Sequence, residues 1–101
     1  MNATYQILYW RDIPAQVKVR LGRQRVNRAL SSRFQEAIDE AAMRARTTST
    51  DDYLDEWRSS EPQEGEGDPE VLADQVAAEL EAAYPAERLA SLVDNKGIGK
   101  K

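Results

Sequence analysis

The chain has 101 residues and neither cysteine nor histidine, which excludes disulfides, thiolate nucleophiles, Cys/His zinc centres, thiolate-held iron–sulfur clusters and an imidazole general base. That length makes one domain, large enough to bury a core without disulfide or metal support, and a mean hydropathy of -0.72 leaves part of it to loops and tail. The net charge of -4 and the pI of about 4.8 argue against a nucleic-acid-binding domain, which usually has a strongly basic balance.

Residues 1–9 lack the basic segment and apolar run of a signal peptide, and no stretch approaches the roughly 20 apolar residues of a membrane span. A cytoplasmic protein is expected. "TYQILYW", residues 4–10, is dense in aromatic and branched side chains and reads as a strand; apolar groups on both of its faces make it a central one. "RDIP" should then turn the chain, since Pro14 disfavours a helical Ile13. Val17, Val19 and Leu21 alternate with Gln16, Lys18 and Arg20, the period of a half-buried strand, and Gly22 supplies a turn. The return strand, residues 23–30, puts Val26 and Leu30 on one face and Arg23, Arg25 and Asn27 on the other. Arg28 falls in the apolar register, where it must lie near the sheet edge or snorkel.

From residue 32 the period changes to that of a helix: Phe34, Ala37, Ile38, Ala41, Ala42 and Ala45 form one stripe, and Ser32 with Gln35 has capping-box spacing. "TTSTDD" breaks the pattern, and Thr50 is placed to cap a short helical turn through Leu54. "EWRSSEPQEGEG" reads as a further strand held to an edge or a strand end by Pro62. Asp68 and Pro69 open the second long helix as N-cap and first residue, with Leu72, Val76, Leu80, Ala83 and Tyr84 as its stripe. Pro85 ends it and begins a short third helix whose Leu89, Leu92 and Val93 pack back. The expectation is a single α+β domain over residues 1–94, a two-layer sandwich with an antiparallel sheet of three to four strands and two main helices on one face, followed by a disordered tail, 95–101.

Charge is unevenly distributed along this plan. Seven basic residues face one acid between 11 and 33, whereas 17 acids face four arginines between 36 and 94. The basic hairpin, with Lys18, Arg20, Arg23 and Arg25, reads either as an ordinary solvated face that blunts a sheet edge, as a patch neutralised by the chain's own acidic half, or as a docking surface for an acidic protein or phosphate-bearing partner. Tyr5, Tyr9 and Trp10 lie on the central strand and are assigned to core rather than to a base-stacking platform. Trp57 has polar neighbours and, with Arg58, is a candidate interface anchor. The carboxylates between Asp51 and Glu70 match no ligand-loop spacing and are assigned to solvated loop and helix capping; no metal or cofactor is expected. "GEGDPE" lacks the lysine and glycine order of a phosphate loop.

Five segments, "YQILYWRDIPAQVKV", "GRQRVNRAL", "RFQEAIDEAAMRA", "YLDEWR" and "EGDPEVLADQVAAEL", together resemble the small bacterial domain known as virulence factor. The likeness covers residues 4–84. The domain is similar to a segment of the conserved virulence factor C proteins, where it lies beside a domain related to the amino-terminal part of iron–sulfur carrier proteins. The resemblance implies a shared fold, no defined reaction and no catalytic residues to carry over. It also points to corrinoid and folate one-carbon enzymes that supply methionine methyl groups as neighbours of the stand-alone relatives.

The functional expectation is a small accessory protein, a binding module rather than an enzyme, that binds an acidic protein partner, such as a larger enzyme, through Lys18, Arg20, Arg23 and Arg25, with Trp57 and Arg58 as further anchors. The alternatives are a small-ligand or enzymatic domain that uses tyrosine, arginine and carboxylates, which requires an enclosed pocket lined by them, and an RNA-binding module, which the acidic balance disfavours.

Overall fold

The alternating stretches form a meander of three antiparallel strands: β1 (Ala3–Trp10), β2 (Ile13–Leu21) and β3 (Gln24–Ala29). A computed structural model describes residues 3–46 and 50–99. The break expected at 47–49, the capping side chain of Thr50 and the two final lysines lie outside the described residues. The remaining elements are α1 (Ser32–Arg44), α2 (Thr50–Asp55), β4 (Trp57–Ser59), β5 (Gln63–Gly65), α3 (Pro69–Ala83) and α4 (Ala86–Asp94). The protein is α+β, with an antiparallel sheet in the order β3-β2-β1-β4 and β5 also paired to β1.

The expected turn "RDIP" contracts to Arg11 and Asp12, and Pro14 lies inside β2 instead of ending a loop. Leu8 faces Gln16 but Tyr9 faces Pro14, so Ala15 is an extra residue on β2. A bulge of this kind is where a strand tolerates a proline, because the ladder is already interrupted. The strand expected around residues 56–66 forms as two short pieces on the same edge of β1: β4 along Leu8–Trp10 and β5 along Ala3–Tyr5. Pro62 has no N–H to donate, and the ladder skips past it. Ser60 bridges the gap: its N–H donates to the Ile7 carbonyl at 2.9 Å, and its Oγ accepts the Ile7 N–H at 2.9 Å. β1 is therefore central, paired along both edges.

Residues opposite each other in a ladder share a face. Ile7, Val17, Val19 and Val26 point to the side that α3 covers, and the first three are buried. Arg28 sits opposite Val17 on that face and snorkels to its rim, where Nε meets Asp74 Oδ1 of α3 at 2.8 Å. α1 buries Phe34, Ala37, Ile38, Ala41 and Ala42 against β2 and α4, and α4 returns Leu89, Leu92 and Val93 to the same core. At the start of α3, Asp68 Oδ1 accepts the Glu70 N–H at 2.8 Å with Pro69 at the first helical position, as the sequence pattern requires.

The capping box does not form. The N-cap of α1 is Ser31, and its N–H and hydroxyl both donate to the Glu81 carboxylate of α3, at 2.6 and 2.9 Å. A charged acceptor competes well for those donors. Gln35 turns to Asp39 instead. Arg33 reinforces the junction by reaching the carboxylate of Glu81 and the carbonyls of Glu81 and Tyr84.

Residues 95–99, expected as a free tail, are tied to the β1–β2 turn. The Asp12 N–H donates to the Gly97 carbonyl at 2.8 Å, Arg11 Nη1 donates to the Lys96 carbonyl at 2.8 Å, and the Gly99 N–H donates to Asp12 Oδ2. Gly97 makes this approach feasible. Its φ is +88°, and a Cβ there would lie 2.9 Å from Cζ3 of the fully buried Trp10.

Candidate functional site

The register places the hairpin cations together. Thr4 faces Arg20, Gln6 faces Lys18, Lys18 faces Asn27 and Arg20 faces Arg25, so these six side chains share the face opposite the valines. Gly22, at φ +59°, closes the turn that presents Arg23 at the hairpin tip. Arg20, Arg23 and Arg25 are exposed and Lys18 is half-buried. Pro62 borders one side, giving a shallow groove of about 410 Å³ over Lys18, Arg20 and Arg25. The Tyr5 side chain, opposite Val19 in the ladder, lies on the other face, where its hydroxyl donates to Gln63 Oε1 at 3.0 Å.

Among the described residues, none of Lys18, Arg20, Arg23 and Arg25 takes an ion pair, and six of the chain's acids pair with other cations. Glu56 meets Arg11, Asp74 meets Arg28, Glu81 meets Arg33, Glu40 and Asp94 meet Arg44, and Asp12 meets Arg58. No acid of the described residues forms an ion pair with the hairpin cations, although Glu64 stands on the same face as Arg20, across Thr4. Placing Arg20 directly opposite Arg25 works against the fold, since like charges across a ladder cost roughly 0.2–1 kcal/mol.

Trp57 and Arg58 do not join this groove. They pair with the Trp10 end of β1, whereas the hairpin tip adjoins the Thr4 end. As neighbours on a strand they also point to opposite faces. Trp57 sits opposite Trp10, half-buried and edge-on to Tyr53 with ring centroids 6.0 Å apart, while Trp10 stacks on Tyr53 at 5.9 Å and donates Nε1–H to its carbonyl. Arg58 lies over the Tyr9 ring at 5.4 Å and pairs with Asp12 at 2.7 Å. Trp10 is core, as its place on the central strand implies, and Tyr5 and Tyr9 pack against the core half-buried. Tyr9 also faces Tyr84 and Arg88 in a second cleft, and burial, reinforced by Tyr84, pushes its phenol above the ordinary value of 10.0. Tyr84 lies at the end of α3 and Arg88 on α4. Nothing in the local pattern of either helix announces that they meet a β1 tyrosine.

The groove residues Gln6 and Asn27 were readable in principle, because they alternate in step with the cations; Pro62 enters only through the split β4/β5 edge. Among the described residues, no three carboxylates gather in a way that could hold a metal ion, and no helix is long and apolar enough to cross a membrane.

A family model described as virulence factor matches residues 8–93, so the match includes α4 and runs beyond the residues that carry the resemblance by sequence. The chain belongs to that family. Neither a curated protein nor a solved structure matches it.

Proposed function

We propose that this member of the virulence factor family is a cytoplasmic accessory protein that acts by binding, and that Lys18, Arg20, Arg23 and Arg25 dock an acidic protein partner. One observation carries the reading: four adjacent cations stand without ion pairs among the described residues, in an arrangement that opposes its own fold. Such a patch raises encounter rates with an oppositely charged surface and selects against like-charged ones. The groove bordered by Pro62 gives the partner a place to bury an apolar contact. Trp57 and Arg58 would then touch only a partner long enough to wrap the sheet edge. The sequence resemblance nominates a larger enzyme of one-carbon or corrinoid metabolism, serving methionine synthesis, as the first partner to try.

The test is affinity capture from native lysate with the wild-type chain and an Arg20→Glu/Arg25→Glu variant, circular dichroism confirming that both are folded. A stoichiometric acidic protein held by the wild type and lost by the variant, with affinity that falls as salt rises, is the expected outcome. Equal capture by both baits removes the hairpin from the interface.

A further inference from the structure

The second cleft lies at the other end of the sheet and is built from five separate parts of the chain. Tyr9 comes from β1, Asp12 from the β1–β2 turn, Arg58 from β4, Tyr84 from the end of α3, and Arg88 and Leu92 from α4, where their spacing of four puts them on one helix face. Together they line an open groove of about 570 Å³. That is the size of a site for an organic molecule rather than for a bare ion.

Its lining sets Arg58 and Arg88 against Asp12 and Glu61. Arg58 stacks on Tyr9 and Arg88 stacks on Tyr84, with the Arg88 guanidinium carbon 4.0 Å from the ring centroid, so both guanidinium planes are held in place by aromatic rings. Asp12 is fully engaged, with one oxygen on Arg58 and the other on the Gly99 N–H. Arg88 donates Nη1–H to the Ala83 carbonyl at 2.8 Å, one of the acceptors that a helix end leaves over, and it takes no carboxylate among the described residues. The hydroxyls of Tyr9 and Tyr84 have no hydrogen-bond partner among the described residues either. Burial keeps the Tyr9 phenol protonated at neutral pH, so it remains a donor. Glu61 stands exposed at the rim, and Leu92 supplies an apolar floor.

We propose that this cleft binds a small organic anion, its carboxylate or phosphate head held by Arg88 and the Tyr9 and Tyr84 hydroxyls and its apolar body resting on Leu92 and the tyrosine rings. The fork of an arginine suits both head groups, and donors already fixed by stacking lose little freedom on binding. The site is independent of the hairpin: no cation of one lines the other.

Amide NMR titration of the intact chain with benzoate, phenyl phosphate and, as an uncharged control, benzyl alcohol tests the proposal. Benzoate or phenyl phosphate should give saturable shifts around Tyr9, Arg58 and residues 84–92, and the stronger of the two identifies the head group. Arg88→Ala should abolish them. Arg88→Lys keeps the charge but loses the fork and should weaken binding, while Tyr84→Phe, which removes only a hydroxyl, should weaken it about tenfold. The Arg20→Glu/Arg25→Glu variant should bind the probes normally, and Arg88→Ala should still capture the hairpin's partner. Shifts that are equally strong with benzyl alcohol, shifts centred on Lys18, Arg20 and Arg25, or no saturable shift with either anion would each overturn the assignment.

Discussion

The two ends of β1 handle positive charge in opposite ways. At the Thr4 end, Lys18, Arg20 and Arg25 stand on an open sheet face and take no ion pair among the described residues. At the Trp10 end, Arg11 is bound to Glu56 and the Lys96 carbonyl, and Arg58 to Asp12 and the Tyr9 ring, beside an aromatic cluster of Trp10, Tyr53 and Trp57. The same residue types thus serve the fold at one end and are left over by it at the other. A run of basic residues in a sequence does not distinguish these cases; the location of the acids does.

The contrast can be broken most severely at the Trp10 end. Trp10→Ala removes a fully buried ring and should cost about 3–5 kcal/mol, read as a lower denaturation midpoint and as loss of protection in the amides of residues 95–99. Gly97→Ala should cost about 1–3 kcal/mol, because it forces an alanine to φ +88° and its Cβ against Trp10. The steric part of that cost should vanish in a Trp10→Ala background, so a double-mutant cycle that gave simple additivity would show the contact to be unimportant. The smallest effect belongs to the Thr4 end and has the opposite sign. Arg20→Glu turns a repulsive cross-strand pair with Arg25 into an attractive one and should stabilise the chain by roughly 0.2–1 kcal/mol, while partner binding weakens. A loss of stability would mean that Arg20 holds the fold together and is no spare cation.

Tertiary contacts explain where expectation and structure part. The Ser32/Gln35 box yielded to a Glu81 carboxylate fifty residues from Ser31, and the "RDIP" turn yielded to a bulge that lets β2 continue through Pro14. Residues 95–99 carry no period, yet they are fastened to Arg11 and Asp12. Trp57 and Arg58 are adjacent in sequence, but the strand that carries them sends them to different faces at the far end from the hairpin.

Local side-chain pattern was enough to read the α+β class, the hairpin with its cationic face, the stripes of the two long helices and the Asp68–Pro69 helix start. Each of these is written in side chains two to four residues apart, the spacing at which strand and helix periods act. Long-range packing settled that the hairpin cations take no ion pair among the described residues, that one edge of β1 is shared by two short strands, and that Tyr9, Tyr84 and Arg88 line one cleft. Those outcomes depend on groups that lie tens of residues apart along the chain and meet when helices and sheet pack together, and no local period records such meetings.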